Sequence, residues 1–186
     1  MTADTPPVIV QQIDADRPGI GSDPQIVPQF TLQPEMGTDG REIRLGFLPG
    51  LEADRDETDW GVKLRLTDTD RLKASVKVTY GNAVGFEIPA NIGVSKWFNL
   101  GLDVQWRKST PLAYAAEFNI TPTSRLTITP TLYRDDKARA AIFAAWVPPA
   151  HDNIQLDVGC AQGKVTIGIA TAINFSDVFK SKEDKL

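Results

Sequence analysis

The feature that most constrains the fold is an alternation of apolar and polar side chains that runs through most of the chain. From Phe30 to Phe175 it recurs in segments of about eight to ten residues, and turn residues such as Pro49-Gly50, Gly81-Asn82 and Gln162-Gly163 separate them. One face of each segment is apolar and uncharged, as in Trp60, Val62, Leu64 and Leu66. Because successive side chains of a strand point to opposite sides, the pattern predicts a meander of antiparallel strands with one apolar face.

The composition of the other face favours a barrel with its apolar side outward. That face is rich in Gly, Ala, Ser and Thr with scattered charges, as in Thr127, Thr129 and Thr131. A water-exposed sheet face usually carries more long charged side chains, whereas small residues suit a crowded lumen. Segments of this length also match a tilted strand that crosses hydrocarbon. We therefore predict an all-β fold, an antiparallel up-and-down transmembrane β-barrel of about 12 strands.

Aromatic residues near the segment ends support this prediction, because membrane barrels carry aromatic girdles at both interfaces. The expected girdle comprises Trp60, Tyr80, Trp97, Trp106, Trp146 and Phe175. The alternation alone leaves another fold open, a soluble β-barrel or sandwich that holds an apolar ligand in its core.

Composition excludes several classes of function. The net charge of −4 and pI near 5.0 give no electrostatic footprint for nucleic acid. Cys160 is the single cysteine, so neither an internal disulfide nor a thiolate zinc site is expected. The single histidine, His151, lies in a Pro/Asn/Asp-rich turn without a partner nucleophile. We expect no enzyme, no cofactor and no metal site.

The chain divides into three parts. Residues 1–29 contain several prolines and little periodicity, and are interpreted as an extended arm in the periplasm or inserted in the lumen. Residues 30–175 are the predicted barrel, and residues 176–186 form a charged tail. The start at Met1 shows neither the basic residues nor the apolar run of a secretory signal, and we interpret it as the mature chain without its signal. The expected location is the bacterial outer membrane.

Both ends of the predicted barrel resemble a known family. The stretches that carry the resemblance are Asp14-Ala15-Asp16-Arg17-Pro18-Gly19-Ile20-Gly21, Val27-Pro28, Leu32-Gln33-Pro34-Glu35, Asn153-Ile154-Gln155-Leu156-Asp157-Val158-Gly159 and Ile167-Gly168-Ile169-Ala170-Thr171-Ala172-Ile173-Asn174-Phe175. They resemble the mature start and the closing strands of an outer-membrane transporter family associated with meta-pathway phenol degradation. The resemblance implies a β-barrel that transports small solutes.

The functional prediction is passive transport of small solutes through a charged lumen. The expected lumen-lining residues are Lys63, Arg65, Lys77, Glu87, Asp103, Arg107 and Glu117. These charges would form a selective constriction or, alternatively, pair with one another and plug the barrel. If the arm enters the lumen, Asp14, Asp16 and Arg17 are expected to contact wall charges.

The expected partners are outer-membrane lipid and small solutes, and no nucleic acid. A structural or accessory membrane barrel in an envelope complex is the alternative function. Envelope protein partners or a homo-oligomer would accompany that role.

Overall fold

A computed structural model of the chain describes residues 22–38 and 40–176, which form thirteen strands and almost no helix. No helix in these residues is long and apolar enough to cross a membrane. The strands are β1 Thr31–Gly37, β2 Gly40–Leu48, β3 Leu51–Asp56, β4 Trp60–Asp68, β5 Leu72–Tyr80, β6 Gly85–Ser95, β7 Phe98–Arg107, β8 Ala113–Thr123, β9 Leu126–Arg134, β10 Ala138–Trp146, β11 Ile154–Ala161, β12 Lys164–Thr171 and β13 Ile173–Asn174.

The sheet closes on itself. Each strand from β1 to β12 pairs antiparallel with its neighbour in sequence, and β1 also pairs with β12, where Glu35 lies opposite Ala170. The short β13 continues this pairing beyond β12, with Thr31 opposite Asn174. The predicted all-β, up-and-down barrel of about twelve strands is therefore confirmed.

The inner surface of the barrel is polar and its outer surface is apolar, which is the reverse of a soluble protein. Among residues 22–38 and 40–176, sixteen polar or charged residues are buried, against seven hydrophobic ones. Thirty-two large hydrophobic residues are exposed on the outside of the barrel or in its turns. A soluble barrel keeps its apolar side chains inside, and so much apolar surface is incompatible with water. The alternative of a soluble barrel with an apolar core is therefore wrong.

The barrel has two rims. We call the rim where β1 begins and β13 ends the terminal rim, and the opposite one the distal rim. Phe30 and Phe175 meet at the terminal rim with ring centroids 6.4 Å apart. All four register shifts within the strand pairs lie near the terminal rim, between Gly46 and Leu48, Arg65 and Thr67, Gly93 and Ser95, and Ile120 and Thr123. Bulges at a barrel rim bend strands into their turns.

The expected girdle residues lie at both rims. Trp60, Tyr80 and Trp106 lie at the ends of strands that meet at the distal rim, and Trp97, Trp146 and Phe175 lie at the terminal rim. The Arg55 guanidinium lies 4.5 Å from the centre of the Trp60 ring, and the Lys96 ammonium lies 4.8 Å from that of Trp97. Aromatic and cationic side chains together suit the headgroup region of a bilayer.

Glycines on the inner face make room for large neighbours. Directly opposite Gly61 in the register is Asp54, opposite Gly168 is Asp157, and opposite Gly101 is Glu117. A side chain at any of these glycines would meet the facing carboxylate. Gly159 is the apolar case, because the Phe143 ring lies where its Cβ would be. The glycines of the polar face thus leave space in which the larger side chain on the facing strand lies directly over the sheet.

We predict that Gly159→Ala lowers the free energy of unfolding by about 1–3 kcal/mol, because the added methyl overpacks the wall against Phe143. Urea titration of the barrel in detergent micelles measures this change. In a Phe143→Leu background the ring is gone, and the same substitution is expected to cost less by at least about 0.5 kcal/mol. An equal cost in both backgrounds would refute the contact.

Candidate functional site

The barrel interior is the candidate site, and Arg44 of β2 connects three of its strands. Its guanidinium binds Glu52 of β3 through two bonds, Nε–Oε1 at 2.8 Å and Nη2–Oε2 at 2.9 Å. Its Nη1 lies 3.3 Å from Oε1 of Glu35 on β1, which also accepts a hydrogen bond from Gln33. Arg44, Glu35 and Glu52 are at most 1% exposed. Bidentate, charge-assisted bonds of this kind are the strongest in proteins and hold three strands together.

Two lysines extend this network along the wall. The Lys63 ammonium on β4 lies 3.7 Å from Oε1 of Glu52. The Lys77 ammonium on β5 lies 2.8 Å from Oδ1 of Asp54 and 3.3 Å from Oε1 of Glu42. Pairing between adjacent strands, and from β5 to β3 and β2, therefore neutralises wall cations across β1 to β5. We call this set of residues, with Arg44, Glu35 and Glu52, the paired wall.

Residues 22–29 lie inside the barrel along the paired wall. Pro24, Ile26 and Val27 are buried. The segment runs from Phe30 at the terminal rim towards Glu87 near the distal rim, and its residues, fully extended, span up to about 30 Å. The backbone of Val27 and Pro28 lies where a side chain at Gly46 would be. Glycine at position 46 thus lets the segment lie against β2.

Wall charges hold this segment by its backbone. The amide of Val27 donates to Oε2 of Glu52 at 2.7 Å. The carbonyl of Gln25 accepts from Arg44 at 3.1 Å, and that of Asp23 accepts from the Lys63 ammonium at 3.0 Å. A carboxylate of the wall thus accepts a hydrogen bond from a backbone N–H, and its cations donate hydrogen bonds to backbone carbonyl oxygens, so these backbone groups in the lumen have partners.

A second group of charges lies on β6 and β7. Glu87 and Asp103 are buried, and their carboxyl groups contact each other. Gln105 donates to both, at 3.1 Å to Glu87 and 2.8 Å to Asp103. The amide of Ser22 donates to Glu87 at 2.6 Å. We call Glu87 and Asp103 the acidic pair.

The distal mouth is bridged by turns. Asp59, in the turn between β3 and β4, is 3% exposed. Its carboxylate accepts from the amide of Asn82 at 2.8 Å and from Arg107 at 3.2 Å. Because Arg107 ends β7, this ion pair connects strands that are not neighbours in the sheet. The turn after β5 and the end of β7 are thereby tied to the turn after β3.

The seven expected lumen residues occupy different depths. Lys63, Lys77, Glu87 and Asp103 are buried, and Glu117 is half-buried against Gly101. The other two lie at the rims: Arg65 pairs with Asp68 at 3.1 Å near the terminal rim, and Arg107 pairs with Asp59. The expected arm contacts Asp14, Asp16 and Arg17 lie outside the described residues.

Sequence reasoning missed several buried charges, namely Glu35, Arg44, Glu52, Asp54, Asp59 and Asp157. Four of these six lie on β1, β2 or β3. A signal was present, because Glu42-Ile43-Arg44-Leu45-Gly46-Phe47 alternates like the later strands. Its polar members share the inner face with Lys63.

The described residues hold no group of three or more His, Cys, Asp or Glu side chains arranged to bind a metal ion. His151 is exposed in the turn between β10 and β11, where its amide donates to the carbonyl of Pro148. Cys160 is exposed on the outer face of β11.

No family model matches this sequence, and no curated protein is detectably similar to it. Among solved structures, the barrel is similar to a KdgM porin, with a TM-score of 0.50 and 12% identity over 78% of this chain and 98% of that one. A complex of KdgM porin with disordered oligogalacturonate gives the same values. A triple mutant of Rhodopseudomonas blastica porin has a TM-score of 0.49 and 10% identity over 72% of this chain and 55% of that one, so the chain spans about half of that porin. At these identities, similarity to KdgM porin establishes the fold alone.

We predict that Arg44→Met destabilises the barrel by about 3–5 kcal/mol, because Glu35 and Glu52 would keep buried charges without their main partner. Urea titration in detergent measures the change. Arg41→Met on the same strand is the matched control, since Arg41 is 72% exposed and lies 3.6 Å from an exposed Glu57. The control is expected to cost about 0–1 kcal/mol. Equal effects of the two substitutions would contradict the role of Arg44.

Proposed function

We propose that this protein is an outer-membrane β-barrel through which small solutes pass passively. The observation that carries the proposal is the polarity of the closed barrel, apolar outside and charged inside. An apolar outer wall with aromatic residues at both rims is adapted to lipid, and a polar interior is adapted to water and polar solutes. The shared fold with KdgM porin supports the same reading of the architecture.

The short connections favour small solutes over large ligands. The longest connection between consecutive strands is seven residues, 147–153. Receptors and adhesins bind through long surface loops, which this barrel lacks between its described strands. KdgM porin has been observed with disordered oligogalacturonate. The resemblance of both chain ends to transporters associated with phenol degradation would instead suit smaller solutes. The role of an accessory barrel in an envelope complex stays a prediction.

We further propose that the N-terminal arm narrows the passage. Residues 22–29 lie along the paired wall and bind it through backbone atoms. A segment of backbone inside a barrel of twelve strands takes up much of the lumen, since barrels of eight strands are already filled by side chains. Solutes would then pass between the arm and the strands across the lumen from it, from β7 onwards.

Conductance in planar lipid bilayers tests both proposals. We expect discrete openings from the full chain, and larger openings from a variant that lacks residues 2–26, because removing the segment widens the lumen. A variant that lacks residues 177–186 is the control for shortening and is expected to keep the parent conductance. Heat-modifiable gel migration verifies that each variant folds.

The outcomes separate the two proposals. Absence of conductance from all folded variants would refute the channel. Openings of the same size with and without residues 2–26 would refute the narrowing by the arm and leave the channel standing.

A further inference from the structure

The charges of the interior are distributed unevenly around the wall. Among the described residues, the buried acidic side chains number seven and the buried basic ones three. All three basic side chains, Arg44, Lys63 and Lys77, belong to the paired wall and lie against its carboxylates. The negative excess therefore lies elsewhere, and the acidic pair on β6 and β7 is part of it.

The acidic pair has only neutral hydrogen-bond donors among the described residues. The donors are the Ser22 amide to Glu87 and the Gln105 side chain to both carboxylates. Oδ1 of Asp103 has no donor within the described residues, although the residue is only 4% exposed. A buried carboxylate oxygen without a donor is costly unless water, a proton or a cation reaches it.

The neighbouring lysine is turned away from the pair. Lys77 lies directly opposite Glu87 in the register of β5 and β6. Its ammonium is nevertheless bound to Asp54 and Glu42, on the other side of its own strand. A cation of the wall that could neutralise Glu87 is thus engaged in the paired wall, and two buried carboxyl groups in contact cannot both keep a full charge without a proton or a cation between them.

We propose that the lumen conducts small cations in preference to anions and that the acidic pair, buried in the wall, supplies negative charge that sets this preference. This rests on the proposed channel function. Carboxylates that line a pore attract cations and exclude anions, since charge effects are strong where walls of low dielectric constant surround little water. Among the described residues the pair belongs to no group of three or more His, Cys, Asp or Glu side chains that could hold a metal ion, so no resident ion is expected there. The favoured solute is a small cation such as K⁺, opposite in charge to the oligogalacturonate observed with KdgM porin.

Reversal potentials of the full chain in a planar bilayer test this inference, with a KCl gradient across the membrane. We expect the sign of a potential carried by K⁺. The variant Glu87→Gln/Asp103→Asn keeps the size of both side chains and one acceptor oxygen on each, but replaces the other oxygen by an NH2 group and removes the negative charge. Its K⁺/Cl⁻ permeability ratio is expected to fall severalfold.

The control Glu57→Gln/Asp152→Asn removes two carboxylates from exposed positions at the rims. It is expected to keep the permeability ratio of the parent. A parent that conducts with no preference for K⁺, or a ratio unchanged by Glu87→Gln/Asp103→Asn, would overturn the inference while the channel stands. A folded parent without any conductance would overturn the channel itself, and the inference with it.

Discussion

Pairing of the first strand with the last is the constraint on which the rest of this structure depends. Hydrocarbon offers no hydrogen bonds, so a sheet can cross it only when every strand has two neighbours. Here β1 meets that need by pairing with β12 and then with β13. Closure of twelve strands in turn sets the size of the lumen. It is narrower than the aqueous channel of the large porins, yet too wide for side chains alone to fill.

The size of the lumen explains how its interior is filled. Large charged side chains fit because glycines lie opposite them, as Gly61 lies opposite Asp54. The remaining space on one side is occupied by residues 22–29, whose backbone groups bind Glu52, Arg44 and Lys63. Buried ion pairs contribute little net stability when compared with apolar packing, yet they fix geometry once formed. The paired wall therefore positions the arm, and the acidic pair lies on the neighbouring strands β6 and β7.

Much of the fold could be predicted from the sequence because period-two alternation is a local signal. It identified the closed meander and the approximate strand number, and it assigned Lys63, Lys77, Glu87 and Asp103 to the polar face, which the structure buries. It was weak on β10, where alanines lie on both faces, and at the terminal rim, where bulges interrupt the alternation. The stretch Pro122-Thr123-Ser124 consists of turn-favouring residues, yet Pro122 and Thr123 lie in β8, beside its bulge.

The pairing of charges could not be predicted in the same way. Which partner Lys77 selects depends on the tilt and register of several strands, and these are set by closure rather than by any one segment. The same holds for Arg107, which reaches Asp59 across the distal mouth. The course of residues 22–29 could not be predicted either. The wall binds this segment through its backbone atoms, which are the same for every sequence and leave no sequence pattern.

Folding with and without lipid tests the central claim most directly, namely that the apolar face is the outer surface. Circular dichroism and heat-modifiable gel migration of the purified chain are compared in plain buffer and in lipid vesicles. The account predicts a β-rich, heat-modifiable species that forms only with lipid, because the exposed apolar side chains need hydrocarbon around them. A cooperatively folded, soluble monomer in plain buffer would contradict it.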